Sequence, residues 1–161
     1  MINVTILIPA YNEEATIIQL LEKVHAVSIE GFGLEVLVVD DGSTDRTVEL
    51  LEGRPDLYTR VIKRPRNGGK GAAVVDGLKE ATGTYILFQD ADLEYDPSEY
   101  HKLFAPITRF EADIVIGSRY IAPEYTRVSY FWHKFGNRVL TFVFNILNNT
   151  TFTDIYSCYL M

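Results

Sequence analysis

The sequence predicts an α/β fold built on an open, mostly parallel sheet with helices on both faces. Three observations lead there. Short β-branched apolar runs alternate with helical stretches, as in chains of strand–helix–strand units. Each of the clearest runs ends in a polar cluster. No repeat, linker or low-complexity tract divides the 161 residues, so one domain with one core is expected.

Taken in order, "VTILIPA" (4–10) reads as a buried strand. The helix after it places Ile17, Leu20, Leu21 and Val24 at i, i+3, i+4 and i+7. "LEVLVVD" (34–40) is a second buried strand closed by the turn "DGST", and Asp45 complements the dipole of the next helix, which Val48 and Leu51 line. "YTRVIKR" (58–64) is a more exposed third strand. The glycine-rich "NGGKGAAVVDGLKEATG" (67–83) then opens a helix, and "TYILFQD" (84–90) is the fourth strand. "DPSE" (96–99) starts a further helix, with Asp96 as N-cap, Pro97 at the first helical position and Glu99 closing a capping box. "ADIVIGS" (112–118) is read as a fifth strand, followed by a mixed region and a helix from about 129 to 148.

Composition narrows the function. A net charge of −7 argues against a general nucleic-acid binder, which carries a basic stripe. The single cysteine, Cys158, cannot form an internal disulfide, which suits a reducing compartment. The N-terminal stretch lacks the basic region of a signal peptide. "VLTFVFNIL" (139–147) is less than half a bilayer span, so no transmembrane helix is expected. His25, His101 and His133 lack metal-ligand spacing.

In an open parallel sheet, ligands bind beyond the carboxyl ends of the strands. Tyr11-Asn12-Glu13, Asp40-Asp41-Gly42-Ser43 and Asp90-Ala91-Asp92 all follow buried strands, so they should converge on one edge. Asp90 and Asp92 bracket one small residue, and both can reach a hard divalent cation whose shell a diphosphate completes. The plain alternative is a polar turn. Glu94 is a candidate third ligand, whereas Asp96 is better explained as a helix cap. Asp40 is the candidate ligand contact of its pair, with an Asx-turn through "DGST" as the structural alternative for one of the two. "NGGKGAA" looks like a phosphate cradle with Lys70 supplying charge, but Ala72 and Ala73 rule out a P-loop. Arg119 in "GSRY" is placed for bidentate phosphate contact, although a surface arginine is the default.

"ILIPAYNEE", "VLVVDDGSTDRT", "NGGKGAA", "FQDADLEYDP" and "IGSRY" occur in this order, at spacings that resemble the family 2 glycosyltransferases. Within that family the chain is similar to the dolichyl- and polyprenyl-phosphate sugar transferases. The resemblance implies a GT-A fold, with a Rossmann-like nucleotide-binding sheet. It implies an inverting transfer of a hexose (mannose or glucose) from a GDP- or UDP-sugar to a polyprenyl or dolichyl phosphate, assisted by Mg2+ or Mn2+.

Carried over residue by residue, Pro9, Tyr11 and Glu13 line the nucleoside pocket and Asp40 contacts the base. Asp90 and Asp92 hold the metal on the diphosphate, and Glu94 can complete its shell. Arg119 meets the acceptor phosphate. Because a lipid phosphate is already anionic, such an enzyme needs positioned cations more than a general base. The family segment matched by "TDIYSCY" ordinarily runs on into a basic residue, whereas here Leu160 and Met161 follow. The expectation is therefore a single catalytic domain over 1–161, shortened at its C-terminus. It would work at the cytoplasmic face of a membrane with at most peripheral contact. Two alternatives stay open within this reading: a saccharide acceptor, and a domain that binds nucleotide sugar without turnover. A third, outside it, is a Mg2+-dependent phosphoryl-transfer or receiver domain.

Overall fold

The computed structural model describes residues 1–117, 131–155 and 161, without the side chains of residues 131 and 133. Four strands form one sheet: β1 (Ile2–Ala10), β2 (Phe32–Asp40), β3 (Arg60–Lys63) and β4 (Tyr85–Phe88). Their order is β3-β2-β1-β4 and every pairing is parallel. The helices are α1 (Ile17–His25), α2 (Thr47–Gly53), α3 (Lys70–Glu80), α4 (Tyr100–Phe110) and α5 (Phe131–Asn148). The four strands fall inside or around the runs read from sequence. The fifth does not form within the described residues. Val115 instead exchanges backbone hydrogen bonds with Met161, at 2.8 and 2.9 Å.

Period-two alternation distributes β1 and β2 between two apolar layers. Val4, Ile6, Ile8, Val36 and Val38 point to the side covered by α1 and α4, where Ile17, Leu20, Leu21, Val24, Tyr100 and Phe104 complete the larger core. Leu7, Leu37 and Val39 point to the other side, against Ala73 of α3. That second layer is thin because α3 presents small residues one turn apart, Ala73 and Gly77. A Cβ at Gly77 would lie 2.3 Å from Leu7 Cδ1 and 3.0 Å from Val39 Cγ2. The close approach sets the height at which Lys70, the first residue of α3, meets the sheet edge.

The start of α4 departs in detail from the sequence reading. Asp96 does cap, accepting from the Ser98 N–H at 3.0 Å, but Pro97–Glu99 form a single 3-10 turn before the α-helix begins. The Glu99 carboxylate, expected to close a capping box, bonds Lys102 at 2.6 Å. Lys102, three residues further along, holds that charge on the α4 side.

Helix α5 faces in an unexpected direction. Its inward stripe is polar: Asn137 and Thr141 are buried, Asn137 donates to Asp154 at 2.8 Å and Thr141 to Asn137 at 3.3 Å. Asn145 donates to the Phe152 carbonyl and accepts from Thr150 and from the Phe152 N–H, at 2.7–2.9 Å. Trp132, Phe135, Phe142, Ile146 and Leu147 are exposed. Among the described residues no helix is long and apolar enough to cross a membrane.

At the opposite edge of the sheet from the polar clusters, Glu35 joins the β1 and β2 starts to the α3–β4 turn. It accepts from the Thr5 hydroxyl and, at 2.9 Å, from the Thr82 N–H. Burial pushes its carboxyl up, but hydrogen bonds from Thr5 and Thr82 and the charge of Arg60 outweigh it. The net result is a value below the ordinary 4.5. A lowered folded value means the unfolded chain binds the proton more readily. The stability Glu35 lends is thus present above pH 4.5 and lost as pH falls through the lower folded value. Glu35→Gln should flatten the acid limb of a stability-against-pH curve in that window, measured by urea unfolding. In the same assay Gly77→Val should lower the urea midpoint, by about 1–3 kcal/mol of stability, with the slope unchanged.

Candidate functional site

The parallel register brings three loops to one edge. Ala10 is paired with Asp40 and Leu7 with Phe88, so β1, β2 and β4 release their loops side by side. A cavity of about 340 Å³ opens there, with Pro9, Ala10, Tyr11, Glu13, Asp41, Asn67, Gly69, Lys70, Ala73, Asp90, Ala91 and Asp92 on its walls. Of the residues singled out from sequence, Pro9, Tyr11, Glu13, Lys70, Asp90 and Asp92 are gathered here. Asp40 and Glu94 are not on the wall. Arg119 and Cys158 lie outside the described residues.

The two adjacent aspartates divide their work differently from the sequence expectation. The Asp40 carboxylate turns back onto its own chain and accepts from the N–H groups of Gly42 and Ser43, at 3.2 and 3.3 Å. It makes the Asx-turn. Asp41 is the member facing the cavity, and it accepts from the Gly68 and Gly69 N–H groups at 3.0 and 2.8 Å. Arg64 closes an ion pair with Asp41 and bonds Asp76 on α3 at 2.9 Å. The cause is geometric: a tight turn directly after a strand brings the first side chain over its own amides and sends the next one across.

Two glycine-loop amides expected to cradle phosphate are consequently occupied by Asp41. Gly42 permits the crossing. It has φ +72°, and a Cβ would lie 2.8 Å from the backbone carbonyl carbon of Arg66.

The β1–α1 loop is bonded to the β2–α2 loop along its length. Asn12 adopts a left-handed φ of 56°, a conformation that short amide side chains tolerate. Its N–H donates to Ser43 Oγ at 3.0 Å, and its Oδ1 accepts from the Thr44 N–H at 2.8 Å. The Glu13 N–H donates to Thr47 Oγ1 at 2.8 Å and the Glu14 N–H to Asp45 at 3.1 Å. Asp45 also accepts from the Thr47 N–H at 2.9 Å. Burial works to raise its carboxyl, yet the bonds from Thr47 and Glu14 hold it below the usual range. This ladder leaves the Tyr11 ring free at the rim, 43% exposed. The Glu13 carboxylate accepts from the Thr16 hydroxyl at 2.8 Å.

The acidic loop is anchored from below by a residue that periodicity did not single out. Gln89 is fully buried; it donates to the carbonyls of Asp90 and Tyr95 at 3.0 and 3.2 Å and accepts from the Tyr100 hydroxyl at 2.9 Å. The only sequence signal was a polar residue continuing an apolar strand. Arg64 gave no signal, since its partners lie 12 and 23 positions away.

Above Gln89, the Lys70 ammonium bonds Asp90 Oδ1. Asp92 accepts from the Glu94 N–H at 3.0 Å, across Leu93 at a left-handed φ of 64°. This turn sends Glu94 to the exposed exterior of the loop. Asp96 bonds Lys23 at 3.0 Å. The bond from Ser98, then that from Lys23, keeps its carboxyl low.

Chemically, the cavity walls carry four carboxylates (Glu13, Asp41, Asp90 and Asp92), one ammonium and one exposed aromatic ring. Among the described residues, no group of three His, Cys, Asp or Glu side chains is assembled to hold an ion. Asp90 and Asp92 are oxygen donors of the kind that hard divalent cations such as Mg2+ take, with water or a bound phosphate group supplying the rest of the shell.

Comparison with known proteins agrees with this geometry. The sequence profile of "Glycosyl transferase family 2" matches residues 5–161. A dolichol-phosphate mannosyltransferase of Pyrococcus furiosus is 38% identical over 119 residues, which are 73% of this chain and 33% of that protein. Among solved structures, S. aureus TarS in complex with UDP-GlcNAc superposes with a TM-score of 0.60 at 30% identity, over 71% of this chain and 33% of TarS. Glucosyl-3-phosphoglycerate synthase of Mycobacterium tuberculosis, with Mn2+, UDP and glucosyl-3-phosphoglycerate, gives a TM-score of 0.55 at 28% identity, over 66% and 39% of the two chains. The chain spans about a third of the length of the curated relatives it matches. Its parallel sheet, loop cavity and matched profile make the chain a member of glycosyl transferase family 2, with the GT-A fold.

Proposed function

We propose that this chain carries the donor site of an inverting, nucleotide-sugar-dependent glycosyltransferase that moves a hexose, mannose or glucose, from a GDP- or UDP-sugar to a polyprenyl or dolichyl phosphate. One observation carries the reading: an exposed aromatic ring, a lysine and a pair of aspartates share one cavity at the strand ends. Tyr11 offers its face to the base, with Pro9 and Glu13 beside it. Lys70 meets the donor phosphates. Asp40 and Asp41 serve the site by shaping the turn and fastening the glycine loop, rather than by a free carboxylate on the base. Asp90 and Asp92 hold Mg2+ or Mn2+, and the ion stabilises the departing diphosphate when bound. Glu94 is left out of the shell in this reading.

The acceptor part rests on the likeness to the dolichol-phosphate mannosyltransferase and on α5. A lipid phosphate has to be met at a membrane surface, here the cytoplasmic face, and α5 exposes Trp132, Phe135, Phe142 and Leu147 in the manner of an interfacial helix. Arg119, in "GSRY", is assigned to the acceptor phosphate from the family resemblance.

Calorimetric titration with a panel of GDP- and UDP-sugars, with and without Mn2+, tests the donor site. Metal-dependent binding of one donor is expected, and Asp92→Asn should weaken it by roughly tenfold or more, a loss typical of damaged metal sites. Equal binding by the variant would sink the metal assignment. Release of nucleoside diphosphate on adding polyprenyl phosphate is expected in turn; release only with a saccharide acceptor would overturn the acceptor part alone.

A further inference from the structure

We propose that Lys70 is an exchangeable counterion of Asp90, one that a divalent cation displaces only when a diphosphate is present to receive the ammonium. The inference rests on the donor-site reading above and adds an order of events to it. In the free protein Asp90 is mostly buried, its side chain 18% exposed, and Lys70 bonds one of its two oxygens. An ammonium there occupies the lone pairs a metal would use, and it repels an incoming dication at close range. Asp92 alone is a weak site, because one of its oxygens already accepts from the Glu94 N–H. Metal without diphosphate therefore meets a blocked and incomplete shell.

The latch is built to open. The Lys70 side chain is 54% exposed and carries its charge on a flexible four-carbon stem, and so open an ion pair is weakly held. The neighbouring pair is the opposite: Arg64 and Asp41 are 18% and 3% exposed, and the same Asp41 holds the Gly68 and Gly69 amides. Lys70 thus stands at the start of α3, directly after the two amides that Asp41 holds. A metal–diphosphate complex brings two charges for Asp90 and a new partner for the ammonium, so both sites are compensated in one exchange. The outcome is positive coupling between metal and nucleotide: each binds weakly alone and tightly together.

Mn2+ binding, read by the loss of the free-ion electron paramagnetic resonance signal, tests this without turnover. It is measured for the wild-type protein, Lys70→Gln and Lys70→Arg, each alone and with the GDP or UDP selected by the donor panel. Lys70→Gln should bind Mn2+ alone roughly tenfold more tightly than wild type, because one repelling charge is gone. Added nucleoside diphosphate should strengthen Mn2+ binding strongly in wild type and much less in Lys70→Gln. Lys70→Arg keeps the charge and should keep Mn2+ weak. Unchanged or weaker Mn2+ binding by Lys70→Gln would overturn the latch while leaving the metal site standing. No bound Mn2+ in any of the three, with or without nucleotide, would overturn the latch together with the donor-site reading.

Discussion

The carboxyl edge of this sheet is organised by the need to compensate negative charge. Parallel strands place Asp40, Asp41, Asp90 and Asp92 beyond one rim, and Asp45 and Asp96 stand in the same loops. Each is answered by a partner, and the partners differ in permanence. Backbone amides hold Asp40, a partly buried guanidinium and two amides hold the buried Asp41, and Thr47 holds Asp45. Asp96 pairs with the exposed Lys23, and at the cavity the partner of Asp90 is a half-exposed lysine. Breaking a buried pair leaves an unpaired charge in a poorly solvated place, a large cost, whereas an exposed pair exchanges readily. Acids held by amides or by Arg64 are therefore fixed, and Asp90, held by an exposed lysine, is held more loosely.

This distinction explains why Asp40 and Asp41 cannot be ranked by their order alone. Sequence shows two carboxylates and a turn, and either could face the ligand. The choice is made by the Gly42 backbone and by the approach of residues 66–69, whose Gly68 and Gly69 amides find Asp41. A contact between segments more than 20 residues apart leaves no local periodicity to detect. Arg64, with partners 12 and 23 positions away, is hidden in the same way, and Gln89 because its bonds to Asp90, Tyr95 and Tyr100 follow no helical or strand period. Arg64 is a strand-end cation until β2 and α3 are laid beside it, and Gln89 is one polar letter after an apolar run until Tyr100 arrives.

What was legible is what depends on local period and on strand-end position. Ile17, Leu20, Leu21 and Val24 are all buried, as their spacing demands, and the three polar clusters meet on one edge because every strand pairing is parallel. The strand read at 112–118 fails for a physical reason visible at 115: its backbone bonds go to Met161 rather than to β4. Apolar β-branched composition marks a segment that can be extended. It does not say which edge, if any, will accept it.

Helix α5 carries the same lesson to orientation. A helical period was readable across 131–148, and apolar residues ordinarily mark the inward face. Here the inward positions are Asn137, Thr141 and Asn145, four residues apart, because 150–154 offers them carbonyl, hydroxyl and carboxylate partners. A buried amide needs such partners to be tolerated at all, so the polar clasp fixes the helix rotation that the apolar side chains alone would reverse. The aromatic ridge is left outward by that choice. It is thus a consequence of satisfied hydrogen bonds.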